Sequence, residues 1–235
     1  MILTRDTWTR DDYALFLEYL SSLTDFDYKN FNSKIIPDTP HFFGIRMGEV
    51  RKIARAITKG NYREFLACPI GDYHEERVIE GIVLSSKKCG YGELLADLKY
   101  MSSRIYNWAI CDSLTFSGIK KYRDEFMGDA LWFIKNQNPW AIRLGLLCLM
   151  KFYLDDEYID RVFELVNSVD SDFYYVNMMQ AWLVATAFCK CHDRTMEYLG
   201  CNKLSDVTQN MAIQKIIDSL RVSKSDKDYI LRYKR

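Results

Sequence analysis

Asn107 opens the segment NWAICDS, in which Trp108 and Asp112 stand four residues apart. On a helix that spacing puts both side chains on one face, about 5 to 6 Å apart at Cβ. An aspartate beside an indole has two readings. It is a structural carboxylate bonded to donors of a neighbouring helix, or an anion held against an aromatic wall for a cationic partner. Two later runs hold comparable oddities. NPWAIRLGLLCLM places Arg143 alone among apolar residues, and YYVNMMQAWLVATAFC places Trp182 in another apolar stretch. Two metal-like patterns fail on spacing: Cys189, Cys191, His192 and Cys201 lack the paired C-x2-C of structural zinc, and HEERV has Val78 where H-E-x-x-H needs its second histidine. Core cysteines and a first-turn histidine at His74 are expected instead, with no metal.

Charge narrows the partners. The chain carries 32 Lys and Arg against 32 Asp and Glu, so any basic surface is local. Arg46, Arg51, Lys52, Arg55, Lys59 and Arg63 are opposed only by Glu49 within residues 46 to 63, and from Cys201 to Arg235 eight Lys or Arg meet four Asp. Such polarity suits phosphate binding, although solvated helix faces give the same pattern. The N-terminus has no apolar stretch behind basic residues, and runs such as AWLVATAFC are too short to span a bilayer. The expectation is a soluble cytoplasmic protein whose seven cysteines are reduced thiols.

The elements that must position these residues read as helices. Four prolines and eleven glycines interrupt 235 residues, and apolar side chains recur at spacings of three and four, which predicts an all-α chain. Thr9 with Asp12 starts a first helix, Asn107 and Asn138 with Pro139 start later ones, and Gly60, Gly90 and Gly200 are expected stops. Helix pairs beginning near 72, 107, 138, 172 and 205 give intervals of 35, 31, 34 and 33 residues. A two-helix unit of that length cannot bury its own apolar face, so the units stack into an α-solenoid, a curved superhelix with a concave face. Residues 27 to 44, with Pro37 and Pro40, break the pattern and read as an ordered loop or partial helix. Tyr13, Phe16, Tyr19, Leu20, Tyr153, Tyr158 and Phe163 are assigned to the core, with Met178, Met179 and Met211 as gap-fillers.

The ordered set FFGIRMGEVRKIAR, NWAICDS, NPWAIRLGLL and YYVNMMQAWL, closing on QKIIDSLRVS, resembles the AlkD-type DNA alkylation-repair family over essentially the whole chain. The resemblance implies a single domain of HEAT-like repeats spanning residues 1–235. It implies hydrolysis of the N-glycosidic bond of cationic N3- or N7-alkylated purines, without base flipping. The family's W-x-x-x-D element falls on Trp108 and Asp112, its arginine on Arg143 and its second tryptophan on Trp182. The resemblance makes these four the catalytic group, with both tryptophans flanking the deoxyribose, Arg143 on a phosphate, and Arg46, Arg51, Lys52, Lys215 and Arg221 as DNA contacts. A cationic purine is already a good leaving group, so Asp112 suffices to stabilise an oxocarbenium-like sugar and position water, as glycosidase carboxylates do. No cofactor is implied. The partner is double-stranded DNA carrying alkylated purines, bound by a monomer.

The chain departs from the family pattern in two places. Active members carry an N-terminal helix that enters the minor groove, and NSKIIPDTPHF stands there, so the chain is closer to the branch lacking that helix. Around Trp182 the usual basic neighbours are replaced by Met178, Met179 and Val184. Three functions therefore stay open: a glycosylase, a scaffold that binds DNA or another nucleic-acid structure without excision, and a HEAT-like adaptor for proteins.

Overall fold

The computed structural model describes residues 1–36, 39, 41–71 and 73–235 of the chain. Among the described residues every regular element is helical, apart from an isolated parallel bridge between His41 and Tyr73. The chain divides into two compact units, Met1–Gly118 and Ile119–Arg235.

The first unit contains α1 (Arg10–Ser22), α2 (Phe26–Ile35), α3 (Met47–Ile57), α4 (Tyr62–Leu66), α5 (His74–Ser86), α6 (Tyr91–Ser102) and α7 (Trp108–Ser113). Thr9 caps α1 through the expected capping box with Asp12. Tyr13, Phe16 and Leu20 are buried as assigned, whereas Tyr19 is only half-buried. The stretch read as loop or partial helix is helical from Phe26 to Ile35, with Asp25 accepting from the Tyr28 amide at its start. The helix thus takes in Asn32–Ile35 of NSKIIPDTPHF, because both prolines follow its last turn in the sequence. Pro37 and Pro40 themselves lie outside the described residues.

Helix α5 organises this unit, packing against α3, α6 and α7 with eleven of its thirteen residues buried. Three of those are carboxylates, and each ties down a different segment. Glu75 accepts from the backbone amides of Phe43 (3.0 Å), Gly44 (2.7 Å) and Ile45 (3.0 Å). Gly44 has φ 89°, a left-handed conformation that suits glycine and turns its amide onto the carboxylate. Glu76 accepts from the Tyr13 hydroxyl and the Tyr73 amide, and Glu80 from Arg77, Arg104 and the Tyr100 hydroxyl. Burying a carboxylate is unfavourable unless it is paired, so these contacts hold the chain around α5 in one register.

The second unit follows a 3-10 turn at Ser117–Lys121 and contains α8 (Arg123–Ile134), α9 (Pro139–Phe152), α10 (Ile159–Asn167), α11 (Tyr174–Phe188), α12 (His192–Cys201), α13 (Asp206–Asp218) and α14 (Lys224–Ile230). One layer is α9, α11 and α13 in succession; α8, α10 and α12 form the other. This is the stacking of an α-solenoid, in which no pair closes its own core. In α9 the residues from Ala141 to Met150 are all buried, and Gly145 lets Phe133 of α8 approach so closely that a Cβ there would stand 2.6 Å from the Phe133 Cβ.

The repeat spacing holds. Helices α5, α7, α9, α11 and α13 begin at residues 74, 108, 139, 174 and 206, intervals of 34, 31, 35 and 32. Asn107 and Asn138 cap helices as expected, with Pro139 in the first turn of α9. Of the expected glycine stops, Gly60 follows α3, but Gly90 is the N-cap of α6 and Gly200 lies in the last turn of α12. Gly60 is required by a close approach, since a Cβ would meet the Arg5 carbonyl oxygen at 2.4 Å. All seven cysteines are free thiols; Cys111, Cys148 and Cys191 are buried, and Cys201 is exposed. No helix among the described residues is long and apolar enough to cross a membrane.

Candidate active site

The short helix α7 carries Trp108 and Asp112, and its geometry is set by the residue before it. Asn107 is extended (φ −148°, ψ 167°) and fully buried, and its Oδ1 accepts from the Ile110 amide at 3.0 Å. That cap fixes which end of the amide points away. Nδ2 donates to Thr39 Oγ1 at 3.0 Å and approaches His74 Nδ1 at 3.3 Å. Because an amide nitrogen only donates, Nδ1 of His74 is the acceptor and the ring proton sits on Nε2. Burial enforces the same neutral state: His74 is 4% exposed, and its pKa is lowered to about 4. The Phe42 ring lies 5.1 Å from the imidazole, centre to centre.

Trp108 is half-buried, and its Nε1 donates to the carbonyl of Ile35 at 3.1 Å. Ile35 ends α2, where carbonyls lack helical partners, so the indole serves as part of that helix's C-cap. The bond also fixes the ring plane. Trp108 and Asp112 then line one cavity of about 190 Å³, walled by Tyr28 and Asn32 of α2, Val50 and Arg51 of α3, and His74 and Val78 of α5. Asp112 is half-buried at its rim.

The other residues singled out from the sequence fall in several places. Arg51 is exposed and lines this cavity. Arg46 is spent locally, with Nε and Nη2 each 2.8 Å from Asp25, so that it clamps the start of α2, and its guanidinium lies over the Tyr28 ring. Lys52 pairs with Glu49 at 2.9 Å on the surface of α3. In the second unit Arg143 is 3% exposed and donates from Nη1 to the Tyr175 carbonyl at 2.6 Å, joining α9 to the first turn of α11. Trp182, on α11, is 40% exposed although its neighbours Ala181 and Leu183 are buried. It lines a shallow recess with Lys215, Asp218 and Arg221. Met179 is buried and Met178 half-buried beside it, in keeping with gap-filling.

Two residues of the cavity escaped the sequence. Asn32 sits in the stretch read as irregular, and nothing in its neighbourhood marks it. His74 was visible only as half of a failed zinc pattern; its link to Asn107 joins positions 33 residues apart in the chain.

No protein of curated function matches the sequence. The family model described as DNA alkylation repair enzyme matches residues 16–202, a span that contains α2 to α12 and all four of Trp108, Asp112, Arg143 and Trp182.

Proposed function

The chain belongs to the DNA alkylation repair enzyme family, and from that premise we propose that it hydrolyses the N-glycosidic bond of cationic N3- or N7-alkylated purines in duplex DNA, without flipping the base. The observation that carries this reading is the pairing on α7: a carboxylate and an anchored indole on one face of a capped helix, opening on one cavity. In the reaction the bond between sugar C1′ and purine nitrogen breaks, and its electron pair neutralises the leaving base. The sugar is left as an oxocarbenium ion. Asp112 stabilises that charge across a short distance, orients a water whose oxygen bonds to C1′, and takes up its proton. Trp108 presents an electron-rich face to the developing cation.

The second unit is assigned the strand. Trp182 packs against deoxyribose, and Arg143, anchored on the Tyr175 carbonyl, holds a phosphate. Lys215 and Arg221 beside Trp182, together with Arg51, add phosphate contacts. Arg46 and Lys52 contribute field more than contact, since each already pairs with a carboxylate.

The test is release of base from duplex DNA carrying one N7-methylguanine, with Asp112→Asn in parallel. Release that falls about 10²- to 10³-fold in the variant supports the reading, a size typical of losing one preorganised charge-stabilising group. Duplex binding with no release from either protein would replace it with a scaffold that holds DNA without excision.

A further inference from the structure

Helix α7 is six residues long, too short to hold its own last turn, yet the proposed reaction requires its second-last residue, Asp112, to stand in one place. The start of the helix is anchored by the Asn107 cap and the Trp108 indole. The end is held by a different device. Thr115, two residues past the helix, donates its amide to Ser85 Oγ at 3.2 Å and its hydroxyl to the Ser85 carbonyl at 3.3 Å, and the two hydroxyl oxygens lie 3.2 Å apart. Ser85 is buried in the last turn of α5, where carbonyls lack partners within the helix. One residue thus caps α5 and ties the exit of α7 to it.

The neighbours of Thr115 lock the tie. Leu114 and Phe116 are both buried, while Thr115 between them faces outward. Gly81, one turn before Ser85 on α5, makes room for Leu114: a Cβ there would stand 2.4 Å from the Leu114 Cδ2. Phe116 has φ 38°, the left-handed region that a residue with a Cβ adopts only where its surroundings force it. Among the described residues it is the one non-glycine residue with positive φ, and it stands four residues after Asp112. Strained backbone of this kind persists where the fold over-determines it, and it gathers at sites that must be pre-organised.

We propose that Ser85, Thr115 and the Phe116 turn are positioning residues, which act through the end of α7 to fix where Asp112 stands at the rim of the cavity. The effect on chemistry rests on the glycosylase reading; the effect on the placement of α7 does not. A clasp that served stability alone would lower the melting temperature and leave base release from the folded protein unchanged.

Two measurements on the full chain test this. The first is single-turnover release of base, at saturating protein, from duplex DNA carrying one N7-methylguanine. Thr115→Val, which lacks the hydroxyl, and Ser85→Ala should each slow release about tenfold with duplex affinity unchanged, since a misplacement of about 1 Å costs about 10²-fold and one lost tie moves the helix less. Thr115→Ser keeps the hydroxyl and should restore the parent rate. The second is amide hydrogen exchange, which should quicken at residues 111 to 114 in Thr115→Val and Ser85→Ala but not in Thr115→Ser, with the amides of α9 unaltered. Release unchanged in both disruptive variants overturns the proposal, as does a slowing that Thr115→Ser fails to repair, or one without faster exchange at 111 to 114. If the parent protein releases no base, the glycosylase reading falls on its own and exchange decides the clasp: quickening in Thr115→Val alone of the two Thr115 variants upholds it, and no quickening removes it.

Discussion

The cavity of the first unit and the recess of the second are built on opposite plans. The cavity draws its walls from four helices, and two of its side chains are locked by partners far away in the chain: Asn107 locks His74 and the Ile35 carbonyl locks Trp108. The recess is a surface feature in which Trp182 stands 40% exposed, Arg221 is exposed and Lys215 is half-buried. Stabilising charge that develops on one atom requires groups fixed before the reaction and sheltered from water. A phosphate strand is met most readily by cations that reach solvent, as Arg221 does and the buried Arg143 does not. On the function proposed above, the difference would give chemistry to the first region and affinity to the second.

The sharpest way to break that assignment is to remove one group from each. Asp112→Asn should lower single-turnover base release by about 10²- to 10³-fold with little change in duplex affinity. Trp182→Ala should act mainly on binding. Equal losses in both measurements from both variants would erase the distinction.

Acid should find the cavity before it finds the recess. The pKa of His74 falls from its ordinary 6.5 to about 4 on folding because burial penalises the imidazolium. The unfolded chain thus binds a proton between pH 6.5 and 4 that the folded chain does not. Stability is full above pH 6.5 and declines as pH falls toward 4, by up to about 3 kcal/mol from this one group. Urea unfolding across that window should show the slope, and His74→Gln should flatten it. A slope unchanged in the variant would mean that His74 is charged, or exposed, in the folded state.

How far the sequence reached depended on the range of the interactions. The repeat was legible because a 31- to 35-residue interval and Asn caps at 107 and 138 are local signals that packing reinforces. Trp108 and Asp112 were legible because four residues on a helix define one face. The burial of Glu75, Glu76 and Glu80 was not, since a run of acids reads as a solvated face, and only the loop amides 30 to 32 residues upstream reveal why Glu75 is inside. Arg46 shows the same effect of range: in the sequence it is one cation of a basic run, and in the structure it is held by Asp25 across 21 residues of chain. Helix α2 was read as loop or partial helix because its prolines dominated the pattern, although they fall beyond its end.

The Asn107 junction sets a smaller, more local test. Asn107→Ala removes the cap of a six-residue helix, which should destabilise the first unit by about 1 to 2 kcal/mol in urea unfolding. Asn107→Asp keeps an acceptor for the Ile110 amide and should recover part of the loss. It should not recover all of it, because a carboxylate cannot donate to His74 Nδ1. Full recovery would show that the link to His74 carries no weight.

The smallest effect is reserved for the recess, where the quantity to measure is a slope and not an affinity. Each phosphate neutralised releases a counterion, so each contact contributes about 0.9 to the dependence of log affinity on log salt. Lys215→Ala and Arg221→Ala should each reduce that slope by about 1. Between 50 and 200 mM salt this amounts to roughly threefold less weakening per contact, with single-turnover release at saturating protein unchanged. Arg46→Ala and Lys52→Ala, whose cations already face Asp25 and Glu49, should leave the slope nearly as it was. If instead Arg46→Ala flattens the slope as much as Arg221→Ala does, the clamp on α2 opens when DNA binds, and the first region shares the work assigned to the second.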